Sequence, residues 1–296
     1  MPRRSSHKDM IKRFLCFVLT LVCISGLLCA CAPETMSEDA LCRIYFLDVG
    51  QGDCTLIRTR KGDILIDAGP ESAQEALCLR LKQLGVKEIA LAVFTHPDED
   101  HVGGADGIFA KIPVKEVWLP VREMDNPSAA RMEQAIQNSG AIRKNVKAGE
   151  VVTVGDVVVA TLAPLGDASN DPNDNSIVLR VTCGKIGMLF MGDASAKIEN
   201  KLMENYAKGH LSAQLYKVGH HGSSTSNAKA FLEVVKPTYA VICSSIDNSY
   251  GHPHGVVVER LQEIGAIVLM TATDGEVVLE CNKSAIWHID NKGEKQ

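Results

Sequence analysis

Four side chains able to ligate a cation fall within six residues in Thr95-His96-Pro97-Asp98-Glu99-Asp100-His101, and a Gly103-Gly104 pair follows. In a tight loop the side chains of His96, Asp98, Asp100 and His101 can converge on one point. Neutral imidazole and ionised carboxylate suit zinc, manganese or iron(II). A solvated charged turn needs no such pairing of two histidines with two aspartates between an apolar strand and two glycines. Asp67, Asp193 and His220-His221 share the placement: each directly follows a strand-like run. Loops at strand ends are where α/β folds assemble sites. Alone, Asp193 after a strand is more often a helix N-cap than a ligand. Adjacent histidines point in different directions, so one of His220 and His221 is expected to bind metal and the other to face substrate; the sequence leaves the choice open.

The elements that must position these groups alternate from residue 41 onward. Apolar or alternating runs predict strands at 42–48, 53–58, 63–67, 89–94, 114–118, 150–154, 157–162, 176–183, 186–191, 213–218, 238–243, 266–270 and 276–281. Helices are predicted at 72–84, 102–110, 127–139, 195–207, 227–235 and 254–264. The run Ile89-Ala90-Leu91-Ala92-Val93-Phe94 is continuously apolar, as a strand buried on both faces would be. Two halves of strands followed by helices imply two sheets face to face with helices outside.

The HPDEDH loop is similar to the HxHxDH signature of the metallo-β-lactamase superfamily. His96, Asp100 and His101 match it, and Asp98 stands at the second histidine. That departure resembles the hydrolase domain of ComEC-type competence (DNA-uptake) proteins. Further stretches resemble the same branch in order: Phe46-Leu47-Asp48-Val49-Gly50-Gln51-Gly52-Asp53, Leu65-Ile66-Asp67-Ala68-Gly69, Asn175-Ser176-Ile177-Val178-Leu179, Met191-Gly192-Asp193, Lys217-Val218-Gly219-His220-His221-Gly222-Ser223 and Tyr250-Gly251-His252-Pro253-His254. The resemblance implies an α/β fold, the metallo-β-lactamase αββα sandwich of two mixed β-sheets. It implies one or two divalent metal ions, zinc or manganese, held by His96, Asp98, Asp100, His101, Asp193 and a histidine of the His220-His221 pair, with Asp193 bridging. It places Asp67 beside the metals as an orienting group, and Asp48, Gln51, Asp53, Asn175, Ser223, His252 and His254 near substrate or behind the ligands. For Asp67, Ser223 and the Gly50–Asp53 turn, the plain readings are a turn, a helix cap and a sharp hairpin. The superfamily usually supplies a further histidine before the bridging aspartate. None lies between His101 and Asp193, where Asn173, Asp174 and Asn175 stand. The His96–Asp98 side is therefore expected to be oxygen-rich, as in the DNA-uptake branch.

The first 13 residues carry Arg3, Arg4, Lys8, Lys12 and Arg13 against Asp9, and residues 14–30 have no charge. This reads as a secretory leader. Its end, Leu28-Cys29-Ala30-Cys31, resembles a bacterial lipobox, which implies cleavage before Cys31 and a lipid on its sulfur; the alternative is an uncleaved, short membrane anchor. The expected organisation is a lipoprotein signal peptide at 1–30, a lipidated Cys31 and tether at 31–40, and a hydrolase domain at 41–296. The whole chain has 31 basic and 36 acidic residues. The leader takes five basic and one acidic, leaving 26 and 35 and a net charge of −9. So acidic a body argues against tight non-specific nucleic-acid binding through phosphate neutralisation. It does not exclude an enzyme that meets a phosphodiester only at its site. Cys42, Cys54, Cys78, Cys183, Cys243 and Cys281 are scattered singly with no CxxC pair, which argues against a zinc ribbon and for buried small apolar residues.

Together these features predict an extracytoplasmic, membrane-anchored, metal-dependent hydrolase. A cation would acidify a water for attack on a phosphodiester, with Asp100 or Asp193 orienting it and His221 or His252 placed for proton transfer. The resemblance points to a nuclease acting on DNA, single-stranded DNA among the candidates. A cell-surface enzyme resembling phosphorylcholine esterase and a non-catalytic surface binding module are the competing readings.

Overall fold

The computed structural model describes residues 35–121, 126–166, 168–290 and 293–296. The leader, Cys31 and residues 32–34 of the tether fall outside these residues. Among the described residues no helix is long and apolar enough to cross a membrane.

Six strands open one sheet: β1 (Cys42–Phe46), β2 (Thr55–Thr59), β3 (Gly62–Ile66), β4 (Ile89–Val93), β5 (Val114–Pro120) and β6 (Ile142–Val146). The chain then builds a second sheet from β7 (Val151–Val154), β8 (Val157–Ala163), β9 (Val178–Cys183), β10 (Ile186–Phe190), β11 (Leu215–Lys217), β12 (Tyr239–Ile242) and β13 (Ile267–Met270). It returns to the first with β14 (Val277–Cys281) and β15 (Ile286–Ile289). The orders are β15-β14-β1-β2-β3-β4-β5-β6 and β13-β12-β11-β10-β9-β8-β7. Both sheets are mixed. Pairing turns from antiparallel to parallel at β3–β4 in the first and at β10–β11 in the second. In α/β sheets, ligands bind outside the carboxyl ends of strands where the topology switches, and both switches point their strand ends at the same loops.

The inner faces form one apolar layer, in which Phe46 of β1 stacks on Phe190 of β10 with ring centroids 6.1 Å apart. The outer face of the first sheet is covered by α1 (Gln74–Gln83), α3 (Ala105–Lys111) and α4 (Pro127–Ser139), with the single turn α2 (Glu99–Val102) at its edge. The second sheet carries α5 (Ala196–Asn205), α7 (Lys229–Val235) and α8 (Gly255–Glu263), with the short α6 (Lys208–Leu211) between α5 and β11. This is the expected helix–sheet–sheet–helix sandwich. Residues Met36–Gln296 form one compact unit.

Two strands lack a clear sequence signal. β6 reads Ile-Arg-Lys-Asn-Val and is exposed over its first four residues; it is an edge strand, where charge blunts further pairing rather than marking a loop. β15 is the opposite edge. The helix predicted at 102–110 breaks at Gly103-Gly104, because the chain there must pass close to its neighbours: a Cβ on Gly104 would stand 2.4 Å from the Ala68 carbonyl oxygen.

Candidate metal centre

The loop after β4 is held in place by two others. Asp53 N donates to Asp100 O (3.1 Å), Ala68 N to His101 O (2.7 Å) and Gly104 N to Gly69 O (3.0 Å). Gly52 sits at φ +149°, and a Cβ there would lie 2.4 Å from Asp100 O, so only glycine lets the hairpin after β1 touch the ligand loop. Asp67, itself at φ 58°, accepts from Thr95 N (2.7 Å), Thr95 Oγ1 (2.8 Å) and His101 Nδ1 (2.9 Å). That last bond fixes the proton on Nδ1 of His101 and turns its Nε2 lone pair into the site.

The second sheet contributes Asp193, just past β10, and the histidine pair after β11. Asp193 Oδ1 lies 3.3 Å from His101 Nε2. Its Oδ2 lies 3.7 Å from His96 Nε2, 3.6 Å from His220 Nε2 and 3.6 Å from His221 Nε2. Asp98 Oδ2 is 3.7 Å from His96 Nε2, and Asp100 Oδ2 is 3.1 Å from His221 Nε2. The two Nε2 atoms of His101 and His221 face each other at 3.3 Å. Donor atoms that share a cation at about 2.1 Å from each stand roughly 3–3.5 Å apart, so these separations fit. Fit is also shown by what is left over: the buried His96 Nε2 and Asp193 Oδ1 have no hydrogen-bond partner, and buried polar atoms without one are rare. Around Asp193, Asp98 lies beside His96, and Asp100 and His101 lie beside His221; His96, His101 and Asp193 offer donor atoms within 4.8 Å of one another, as do Asp53, His101 and His221.

Both histidines of the pair face Asp193. They do so because His220 (φ 50°, ψ 50°) and His221 (φ 51°, ψ 24°) are consecutive left-handed residues. Each such residue costs on the order of 1–2 kcal/mol. The strain is held by Asn227, whose side chain donates to Gly219 O (2.9 Å) and Ser223 O (3.1 Å) and accepts from Gly219 N (3.2 Å). His221 Nδ1 donates to the Cys243 carbonyl at 2.9 Å, and Asp53 Oδ1 lies beside it at 3.2 Å without accepting.

The field inside the cluster is strong. Burial disfavours the His101 and His221 cations, but Asp193 leads a set of carboxylates that outweighs it, and both are raised, His221 to about 10. Asp193 moves well below the usual carboxylate range: burial opposes this, and His101, His221 and His96 prevail. His252 behaves oppositely. Burial and then its neighbours His220 and His221 hold it down to about 4. Its ring is stacked on Tyr250 and lies 5.4 Å from His220.

Other predicted residues lie around the cluster. Gln51 accepts from Ser245 N at 3.3 Å. With Asp98, Asp100, Arg131 and Tyr250 it lines a cleft of about 920 Å³. His254 Nδ1 accepts from Ser224 N at 2.9 Å. Ser223 Oγ turns to Thr225, 3.0 Å from its Oγ1 and accepting from its N at 3.3 Å, within the turn rather than at the next helix, whose N-cap is Ala228. Asp48 Oδ1 accepts from Gly50 N at 3.1 Å and is exposed, shaping the turn. The Asn175 amide is used within its own loop, on Ser169 and Asp171. The structure thus brings together His96, Asp98, Asp100, His101, Asp193, His220, His221, Asp53, Asp67 and His252, and leaves the side chains of Asp48, Asn175 and Ser223 engaged locally.

Three supporting residues carry no sequence signal of their role: Lys217, Glu199 and Asn227. Lys217 Nζ is buried 2.7 Å from Asp53 Oδ2. Glu199, fully buried, accepts from Asn227 N (2.5 Å) and Ala228 N (2.9 Å).

Two predictions arise from this shell. Asp67→Asn is expected to weaken metal affinity by roughly 10–100-fold, the usual cost of losing an outer partner of a ligand histidine; titration calorimetry of the metal-stripped protein checks it. Burial raises the Glu199 carboxyl from 4.5 to about 7, against the backbone N–H groups that lower it. The folded state therefore keeps a proton that the unfolded state loses. The associated stability, up to roughly 3 kcal/mol, is complete below pH 4.5 and is lost as pH rises through 7. Urea midpoints from pH 4.5 to 8 should fall for the parent chain, and this component of the slope should vanish in Glu199→Gln.

The comparisons agree with this geometry. A sequence model of the metallo-beta-lactamase superfamily matches residues 47–245. The chain belongs to that superfamily. Among curated proteins it is 32% identical over 244 residues to competence protein ComA of Neisseria gonorrhoeae, covering 82% of this chain and 33% of that one. It is 28% identical over 252 residues to ComE operon protein 3 of Bacillus subtilis, covering 79% and 32%. It is 32% identical over 298 residues to recombination protein 2 of Haemophilus influenzae, covering 93% and 35%. The chain spans about a third of the length of these relatives. Among solved structures, CmlA β-hydroxylase of Streptomyces venezuelae matches with a TM-score of 0.56 at 16% identity, over 84% of this chain and 55% of that one. The metallo-beta-lactamase fold protein YhfI of Bacillus subtilis matches with 0.51 at 9%, over 83% and 99%. These two likenesses show the superfamily fold.

Proposed function

We propose that this superfamily member is an extracytoplasmic, metal-dependent phosphodiesterase that cuts nucleic-acid strands, single-stranded DNA foremost, and is anchored to the membrane through Cys31. The observation that carries the reading is the convergence of four histidines, His96, His101, His220 and His221, on the two oxygens of Asp193, with Asp98 beside His96 and Asp100 beside His221. The competence proteins among its relatives support the substrate class.

His96, Asp98, His220 and Asp193 would hold one cation, and Asp100, His101, His221 and Asp193 the other. Two divalent ions, zinc or manganese, against the carboxylates of Asp98, Asp100 and Asp193 leave a net positive site that attracts a phosphodiester and acidifies a water. The protein's own groups do the rest. Asp67 fixes the imidazole of His101 and the Cys243 carbonyl that of His221. Asp100, part-exposed at the cleft, orients the attacking water. His252, neutral above about pH 4, holds a substrate or leaving-group oxygen by a neutral N–H donor rather than delivering a proton as an imidazolium. Tyr250, exposed on the cleft rim, offers a ring face on which an unpaired base can stack.

The test is an assay of the purified chain on bis-p-nitrophenyl phosphate, single- and double-stranded DNA and phosphorylcholine esters, with Mn²⁺ or Zn²⁺ added to metal-stripped protein. Cleavage of single-stranded DNA that depends on the metal supports the reading. Turnover of phosphorylcholine esters alone moves the substrate class, and no turnover with either metal overturns the enzyme assignment.

A further inference from the structure

Away from the metal centre, Cys42, Cys183 and Cys281 meet inside the apolar layer between the sheets. Cys42 and Cys281 are directly opposed in the antiparallel β1–β14 pair, with Sγ atoms 3.2 Å apart. Cys183 ends β9 in the facing sheet, and the three sulfurs lie within 4.8 Å of one another. All three residues have 0% exposure. Opposed residues of antiparallel strands have Cα atoms about 4.5–5.5 Å apart, inside the roughly 4.4–6.8 Å window of a disulfide.

We propose that Cys42 and Cys281 form a disulfide that staples the first strand of the domain to β14, leaving Cys183 as a thiol. Charge favours this over a soft-metal site. Three thiolates around a monovalent or divalent ion would leave net negative charge in an apolar layer, and among the described residues no histidine or carboxylate completes the set. A disulfide is neutral and apolar. In forming it, two S–H bonds break and one S–S bond forms; the two electrons and two protons pass to a disulfide oxidant, whose own S–S bond breaks to give two thiols. The sulfurs are closed to solvent in the folded state, so the exchange takes place while the strands are still assembling. In the cell the oxidant belongs to an extracytoplasmic compartment, so formation there rests on the export proposed above.

The full chain would be unfolded under reducing conditions and refolded with either oxidised or reduced glutathione. Remaining thiols would be alkylated in denaturant and peptides mapped by mass spectrometry without reduction. Oxidative refolding should join the Cys42 peptide to the Cys281 peptide, leave Cys183 alkylated, and raise Tm by about 5–10 °C over the reduced form. Cys183→Ala should keep both the link and the Tm difference; Cys42→Ala and Cys281→Ala should each lose both. Alkylation of all three cysteines after oxidative refolding, or a link through Cys183, overturns the pairing. The mapping of the parent chain decides this even where a variant fails to fold. A link that forms in refolding but is absent from protein isolated from its cells overturns the exported location and leaves the pairing standing.

Discussion

Asp193→Ala should abolish metal-dependent turnover and strip cation from both sides of the site, with a loss in kcat/KM larger than the roughly 10–100-fold expected for an outer partner. The reason is geometric. Asp193 faces all four histidines, His101 through Oδ1 and His96, His220 and His221 through Oδ2. Losing it also leaves His96, His101, His220 and His221 without the carboxylate that tolerates their proximity to a divalent charge. Metal content by plasma mass spectrometry and turnover on a DNA substrate, measured on the same preparation, check the two halves of the expectation. A variant that keeps full metal and near-parent activity contradicts the bridging role. Unchanged circular dichroism is the necessary companion measurement.

Lys217→Met is expected to produce the largest loss of stability. Lys217 and Asp53 are 2% and 6% exposed and pair at 2.7 Å beneath the His221 ring. Burial disfavours both charges, yet each holds the other ionised: Asp53 sits far below, and Lys217 above, its ordinary range. Removing one partner of a buried pair leaves an uncompensated charge and costs about 3–5 kcal/mol. For a domain of this size that corresponds to a Tm lower by roughly 10 °C. Adding Asp53→Leu to Lys217→Met should return part of the loss, since an apolar pair of similar volume is often neutral. A double variant no more stable than the single one would show that Asp53 is held for its position beside His221 rather than burdened by its charge.

The sandwich was legible in the sequence because buried strands such as β4 and β10 are unbroken apolar runs, and the ligands sit directly after them. Strands with exposed faces were not: β6 is charged because it is an edge, and its sequence carries the signature of a loop. At the site, residue type announced which side chains gather around Asp193, because imidazoles and carboxylates crowded at strand ends have little other use. Support was hidden for the opposite reason. Nothing about Glu199 in the middle of an amphipathic helix says that it accepts two backbone N–H groups 28 and 29 residues away. The two histidines could not be apportioned because ordinary backbone sends adjacent side chains apart; only the rare left-handed pair turns both inward. The hydroxyl of Ser223 caps no helix, because the next one starts at Lys229 behind Ala228; it is used on Thr225 in the turn.

β1 lies between β2 and β14, and its partner on one side is encoded more than two hundred residues later. A nascent chain that emerges amino end first can make the β1–β2 hairpin at once. It must then carry β1 as an open edge of unsatisfied N–H and C=O groups until almost all of the remainder has appeared. Pairings of that sequence separation are slow to form and leave collapsed intermediates exposed to self-association. Deleting β14 and β15 would therefore do more than trim a terminus: it would make that transient edge permanent, and aggregation during synthesis is the expected phenotype.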